Sequence, residues 1–108
     1  MVYLGVEISR FVDEYQPGVV ECRLVDAHGR THLIVEKVPV VTTEGLGSDS
    51  RYPKPGAVAC EVEMQWEDSD GRSLVRVNTA RPWSVESTEG ATSFVVLSSQ
   101  LTRDQPYV

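Results

Sequence analysis

The stretch "PGAVACEVEMQWE", residues 55 to 67, alternates between apolar and polar side chains along most of its length. Every second side chain of a β-strand points to the same face of its sheet. The pattern therefore predicts a long strand with one face in the core and an acidic face in water. The residues expected to face the core are Val58, Cys60, Val62, Met64 and Trp66.

A shorter version of this pattern, "PGVVECRL", occupies residues 17 to 24. In both halves of the chain, Pro-Gly precedes a strand, and a Gly-Arg pair, a proline and a Thr-Glu-Gly segment follow. The distance from Pro-Gly to Gly-Arg differs by an even number of residues, which keeps the inward face unchanged. The repeat favours a duplicated hairpin-and-loop unit. Chance is the alternative explanation, because turns select glycine and proline in any sheet protein.

Two dipeptides, His28-Gly29 and Asp70-Gly71, have the composition of two-residue hairpin turns. Such turns need positive φ angles, which glycine adopts freely and aspartate and histidine tolerate better than most residues. Each turn fixes a register that brings apolar residues together on one face. The expected cross-strand pairs are Leu24 with Leu33, Cys22 with Val35, Trp66 with Val75, and Met64 with Val77.

The chain as a whole predicts a single all-β domain over residues 1–100. We expect a small six-stranded barrel or sandwich, mostly antiparallel, and favour a partly open barrel because the long fourth strand can serve two layers. The C-terminal residues 101–108 are expected to be loose or packed on the surface. The predicted strands are 2–12, 18–27, 30–38, 56–68, 72–80 and 92–99, and the long loops are 39–55 and 81–91.

Composition narrows the range of functions. The 108 residues carry a net charge of −6 and no basic run, which argues against binding to nucleic acid or to an anionic membrane surface. The opening "MVYLGVEISR" has neither the positive start nor the long apolar block of a secretory signal. We therefore expect a cytoplasmic protein, and its acidity favours a basic partner.

The two cysteines, Cys22 and Cys60, each lie in an apolar strand pattern, and we expect both to be reduced and buried. A metal site could draw on Cys22 together with Asp26, His28 and His32. However, a structural zinc site uses tight pairs of Cys or His ligands, which this chain lacks, and the expected register places His32 on the face opposite Cys22. We expect neither a metal nor a cofactor.

Catalytic motifs are also missing. The first hairpin's register places Glu21 opposite Glu36, and such a pair of carboxylates could act as acid and base. The simpler interpretation is that Arg23 and Lys37 neutralise the pair and that both carboxylates stay ionised in water. The sequence thus favours a protein that is not an enzyme.

The two long loops carry the residue types that dominate protein interfaces, namely Arg51, Tyr52, Arg81 and Trp83. We take these four as candidate partner-binding residues. The alternative for Trp83 is that it plugs one end of the barrel. The function expected is that of a small acidic cytoplasmic protein-interaction module, such as a regulator, adaptor or inhibitor. The alternatives are a small-ligand-binding barrel, an enzyme using Glu21, Glu36 or the histidines, and a structural subunit that forms homodimers.

Overall fold

The computed structural model describes residues 1–103 and confirms the expected all-β fold. Its strands are mostly antiparallel, and six of them curl into a half-barrel. In this part of the chain the strands are β1 (Val2–Asp13), β2 (Val19–Val25), β3 (Thr31–Lys37), β4 (Lys54–Glu67), β5 (Ser73–Asn78), β6 (Ser93–Leu97) and β7 (Leu101–Thr102). A single helical turn, α1 (Val38–Val41), follows β3, and a 3₁₀ turn, Ser98–Gln100, follows β6.

The long strand β4 joins the two halves of the sheet. The spatial order of the strands is β3, β2, β1, β4, β5, β6. The first half of β4 pairs with β1, from Lys54 opposite Ile8 to Cys60 opposite Val2. Its second half pairs with β5, beginning at Glu61. This is the sharing of one strand between two layers that favoured a partly open barrel.

The C-terminal strand β7 pairs with the start of β1, with Leu101 opposite Leu4 and Thr102 opposite Tyr3. The first residues of the predicted tail therefore extend the sheet. The rest of that predicted tail, residues 104–108, lies outside the described residues.

The core lies on the concave side of the sheet, where alternate residues of every main strand meet. Burying such aliphatic side chains provides the principal driving force for folding. The fully buried large side chains are Leu4, Ile8, Val20, Leu24, Ile34, Val41, Val58, Val75, Val77, Val85 and Val96. No helix within residues 1–103 has the length and apolar character required to cross a membrane.

Loops cover the edges of the two outer strands, β3 and β6. The backbone N–H of Thr88 donates to the carbonyl of Leu33 in β3 at 2.8 Å, and that of Ala27 donates to the carbonyl of Val95 in β6 at 2.9 Å. The guanidinium of Arg72 donates to the carbonyl of Ala27 at 3.0 Å. These bonds bring the two ends of the curved sheet together and satisfy edge groups that would otherwise invite pairing with another chain.

Both hairpin loops contain three residues, so the predicted two-residue turns are wrong. In the first loop, Asp26 N donates to Arg30 O at 2.9 Å and Gly29 N donates to Asp26 O at 3.0 Å. Gly29 has a φ of 80°, the left-handed conformation that closes a loop of this type. The second loop has the same bonds between Asp68, Gly71 and Arg72.

The extra loop residue shifts each register by one, so the predicted cross-strand pairs are also wrong. In the first hairpin, Leu24 lies opposite His32 and Cys22 opposite Ile34. His32 therefore lies on the same face as Cys22, contrary to prediction. In the second hairpin, Trp66 lies opposite Leu74, Gln65 opposite Val75 and Met64 opposite Arg76.

The Asp side chains explain the longer loops. Asp26 Oδ1 accepts from the backbone N–H groups of His28 and Arg30, at 2.9 and 3.0 Å. Asp68 Oδ1 accepts in the same way from Asp70 and Arg72. A carboxylate at the start of a turn accepts hydrogen bonds from these N–H groups in competition with the backbone carbonyl groups, and this favours the longer loop.

The predicted repeat corresponds in structure at these two loops and differs elsewhere. Pro17-Gly18 lies in the turn before β2, where Gly18 has a φ of 92°. Pro55-Gly56 lies inside β4, paired with β1. A third loop of the same type, from Ser87 to Ala91, has a serine in place of the aspartate. Selection of one turn chemistry therefore accounts for the similarity of the hairpin loops.

A β-bulge in β4 reverses the faces predicted for the end of this strand. Between Val62 and Met64 the register against β5 shifts by one, and Glu63 is the extra residue. One inserted residue sends every following side chain to the opposite face. Met64 and Trp66, predicted to be in the core, are thus 50% and 37% exposed.

Cys22 and Cys60 are free and buried, as predicted. Burial raises the pKa of the Cys22 thiol to about 12, with a further contribution from Glu36 and Glu21, and raises that of Cys60 to about 11. The reactive thiolate is therefore scarce at neutral pH, and the sulfur atoms are shielded from reagents.

We expect a thiol reagent to modify neither cysteine of the native protein at neutral pH on the timescale of its reaction with the unfolded chain. Both thiols should then react in denaturant. A colorimetric thiol titration with and without urea makes the comparison, and Cys22→Ser and Cys60→Ser assign each signal. Rapid modification of either thiol in the native protein would contradict the burial.

Candidate functional site

The loop between β5 and β6, residues 79–92, is held firmly at its base. Thr79 is fully buried, and its hydroxyl donates to the carbonyl of Val85 at 2.7 Å. The Val85 N–H returns a bond to the Thr79 carbonyl at 3.0 Å, and Ser84 N donates to Ala80 O at 2.9 Å. This ladder of short bonds fixes the part of the loop that carries Trp83.

Trp83 projects from this rigid base into solvent, with 61% of its surface exposed. The alternative in which Trp83 plugs the barrel end is therefore wrong, because Val85 is the loop residue that is fully buried in the core. Ser84 has a φ of 55°, an uncommon value for a residue other than glycine. This backbone conformation separates the exposed Trp83 from the buried Val85.

The neighbouring Arg81 is exposed as well. Within residues 1–103, its guanidinium makes no hydrogen bond or ion pair. The same exposed loop therefore carries a planar donor group, the Arg81 guanidinium, and a large apolar surface, the Trp83 indole.

Arg51 and Tyr52 have different roles from each other. Tyr52 packs against the core, and its hydroxyl donates to the carbonyl of Gly47 at 2.8 Å, so this side chain anchors its own loop. Arg51 is exposed. Across residues 1–103, no hydrogen bond, ion pair or ring contact joins Arg51 or Tyr52 to Arg81 or Trp83.

The strand β3 is the element common to the two loops. Its end leads through α1 into the loop with Arg51 and Tyr52. Its edge accepts the bond from Thr88, in the loop with Trp83. The two pairs of predicted residues, Arg51 with Tyr52 and Arg81 with Trp83, are therefore connected through β3, by the chain on one side and by the Thr88 hydrogen bond on the other.

Asp26 and His32, considered above as metal ligands, pair with each other. His32 Nε2 donates to Asp26 Oδ2 at 2.8 Å, and the His32 ring packs edge-on against Phe94 with centroids 5.0 Å apart. Within residues 1–103, no three His, Cys, Asp or Glu side chains lie close enough to hold a metal ion. Cys22 and His28 add no ligand to the pair.

Two opposing influences set the pKa of Asp26. Burial, the largest single contribution, raises it. The hydrogen bond from His32 and those from the backbone N–H groups of Arg30 and His28 together outweigh burial, so the pKa lies below its ordinary value of 3.8. Asp26 is therefore an ionised structural group that holds the first hairpin loop to the core.

The predicted opposition of Glu21 and Glu36 is wrong. The observed register places Val35 opposite Glu21 and Val20 opposite Glu36. Glu21 pairs with Arg10 of β1 at 2.9 Å. A carboxylate dyad of the kind used in acid-base catalysis does not form at this position.

A groove of about 790 Å³ lies between the turn after β1 and the loop after α1. Its walls are partly apolar, from Phe11, Pro17 and Leu46, and partly acidic, from Glu14 and Asp49. Glu14 also accepts a hydrogen bond from Ser48 at 3.2 Å. Sequence reasoning missed this groove because its walls come from segments far apart in the chain.

A second surface missed from the sequence is the outer face of the sheet at the end of β4. Beyond the bulge, Trp66 lies opposite Leu74, which lies opposite Leu97 of β6. Leu74 is buried in this row, while Met64 and Trp66 are 50% and 37% exposed. The alternation of apolar and polar residues predicted that these residues face the core, and no residue near Glu63 indicates a bulge in the sequence.

Comparisons of the chain with models of protein families, with curated proteins and with solved structures find no match.

Proposed function

We propose that this protein is a small acidic cytoplasmic module that acts without catalysis by binding another protein through the loop of Trp83. The observation that carries the proposal is the 61% exposure of Trp83 on a loop whose base is fixed by buried hydrogen bonds. A rigid aromatic anchor loses little conformational entropy on binding, so most of the free energy of its burial contributes to affinity.

Two further features agree with this proposal. Arg81 is exposed two residues before Trp83 and makes no ion pair within residues 1–103, and arginine is enriched with tryptophan at the centres of interfaces. The net charge of −6 favours a basic partner, because opposite charge accelerates encounter and improves complementarity. The free, buried thiols suit the reducing cytoplasm.

We expect Trp83→Ala to weaken partner binding by about 2 kcal/mol or more while leaving the thermal midpoint nearly unchanged. The partner is first recovered from the native host with the tagged protein, and its affinity is then measured by calorimetry. Tyr15→Ala is the matched control, because Tyr15 is an exposed aromatic residue, at 82%, on a different turn.

Retention of full affinity by Trp83→Ala, or equal losses in both variants, would contradict a specific role for this loop. A large fall in stability would instead indicate a structural role for Trp83. Testing Arg81→Ala, Arg51→Ala and Tyr52→Phe afterwards establishes how far the binding surface extends along the two loops.

The groove supports a second candidate, the binding of a small ligand. Its volume and its mixture of apolar and carboxylate groups are typical of such sites. The residues of the enzymatic alternative, Glu21, Glu36, His28 and His32, do not line this groove. Leu46→Trp, which narrows the groove, would abolish ligand binding there and leave binding through Trp83 intact.

A further inference from the structure

Among residues 1–103, the distal half of β4 (Glu61–Glu67) pairs with a strand on only one side. The strand β1 ends its pairing where Val2 lies opposite Cys60. Beyond that point β5 pairs with one edge of β4, and within residues 1–103 no strand or loop forms backbone hydrogen bonds with the other edge.

The backbone groups on this open edge can be assigned from the adjoining hairpin. Asp68 N donates to Arg72 O at 3.0 Å, so Asp68 faces β5. Neighbouring residues in an antiparallel ladder alternate between the two edges of a strand. Gln65 and Glu67 therefore direct their N–H and C=O groups toward the open side, where an added strand would pair with them.

Most of the exposed side chains of the distal half of β4 are either apolar or acidic. Met64 and Trp66 are exposed on the outer face, above the buried Leu74. Glu61, Glu63 and Glu67 are also exposed. Arg76 forms an ion pair with Glu63 at 3.5 Å, and Arg103 lines a small pocket together with Gln65, so the three glutamates outnumber the cations beside them. The segment thus combines an unpaired backbone edge, an apolar patch and a local excess of negative charge.

We propose that Glu61–Glu67 binds an extended basic segment of a partner protein, which adds to the sheet as a strand beside β4. Main-chain hydrogen bonds would provide affinity, and lysine or arginine side chains facing the glutamates would provide selectivity. This surface is separate from the loop of Trp83, so the inference goes beyond the proposed function.

Charge also decides against a second copy of the chain as the occupant. Antiparallel pairing of two copies about Met64 would place Glu61 of each copy opposite Glu67 of the other. Like charges directly opposite in a sheet are destabilising. A basic strand removes this repulsion and replaces it with attraction.

A capped peptide of alternating lysine and valine, equal in length to Glu61–Glu67, is the direct probe. It is titrated into the Trp83→Phe variant, in which Trp66 is the remaining tryptophan and reports through its fluorescence. We expect saturable binding with a blue shift. A peptide methylated on the backbone nitrogens that would face β4 should bind about tenfold more weakly, having lost its hydrogen bonds. The matching glutamate–valine peptide should not bind.

Protein variants test the charge contribution separately. The double substitution Glu61→Gln with Glu67→Gln should weaken the binding of the lysine peptide by about tenfold. The control Glu86→Gln, in the loop of Trp83, should leave this affinity unchanged. If the methylated peptide binds as tightly as the unmethylated one, the inference of strand addition is overturned. If the lysine peptide binds the glutamine variant as tightly as the unmodified protein, the inference of a basic partner is overturned. Absence of saturable binding, or a dimer in sedimentation that the peptide dissociates, would also overturn the proposal. None of these results depends on Trp83→Ala.

Discussion

Gly56→Val should lower the free energy of unfolding by about 3 kcal/mol, because the core leaves no room for a side chain at this position. A Cβ atom on Gly56 would lie 2.7 Å from Cγ1 of Ile8, 2.9 Å from its Cδ1 and 3.2 Å from the carbonyl oxygen of Val41. Ile8 is fully buried, and Val41 O belongs to the backbone, so neither can move aside freely. Urea denaturation monitored by circular dichroism measures the change.

The loop residue Gly45 is the matched control for this substitution. No atom lies within 4 Å of the corresponding Cβ position, and we expect Gly45→Val to change stability by less than about 0.5 kcal/mol. Combining Gly56→Val with Ile8→Ala should cost less than the sum of the two single changes, because the second removes the clashing atoms. Equal effects at Gly56 and Gly45, or strict additivity with Ile8→Ala, would show that this packing is wrong.

Asp26→Ala should lower the free energy of unfolding by about 3 kcal/mol, since it removes the acceptor of three hydrogen bonds to a charged group. These bonds come from His28 N, Arg30 N and His32 Nε2, at 2.8 to 3.0 Å. They fix the three-residue loop, the hairpin register and the position of the His32 ring. Asp68→Ala removes the equivalent loop bonds in the second hairpin, which is more exposed, and should cost less.

The pH dependence of stability identifies the ionised carboxylate as the cause. The pKa of Asp26 in the folded protein lies below its ordinary value of 3.8, so the folded state binds the proton less readily than the unfolded state. The stability contributed by ionised Asp26 is therefore fully present when the pH is above the ordinary pKa, and it is lost as the pH falls through the folded-state pKa. Asp26→Asn should reduce the loss of stability that occurs as the pH falls below 3.8. An unchanged acid profile would contradict this assignment.

Local chemistry in the sequence was sufficient to determine the six main strands and the fold class, but not the short strand β7. Alternation in β1, in β2 and in the first half of β4 identified the core residues correctly, because an apolar face of period two has to be buried. The positions of both hairpins followed from Gly29 and Gly71, since few other residues adopt their φ angles without strain. The buried state of Cys22 and Cys60 followed from the same alternation.

Only the tertiary structure decided the registers, the faces at the end of β4 and the exposure of Trp83. The carboxylates of Asp26 and Asp68 stabilise three-residue loops. Whether a three-residue loop is more stable than a two-residue turn depends on how the end of each hairpin packs. The bulge at Glu63 depends on how β4 bends from β1 to β5. Val85 fills the core in place of Trp83 because the bonds of Thr79 fix the path of the loop. The loop bonds join residues two to six positions apart, whereas the bulge depends on the pairing of β4 with β1 and β5, and the period of the apolar residues carries no information about either.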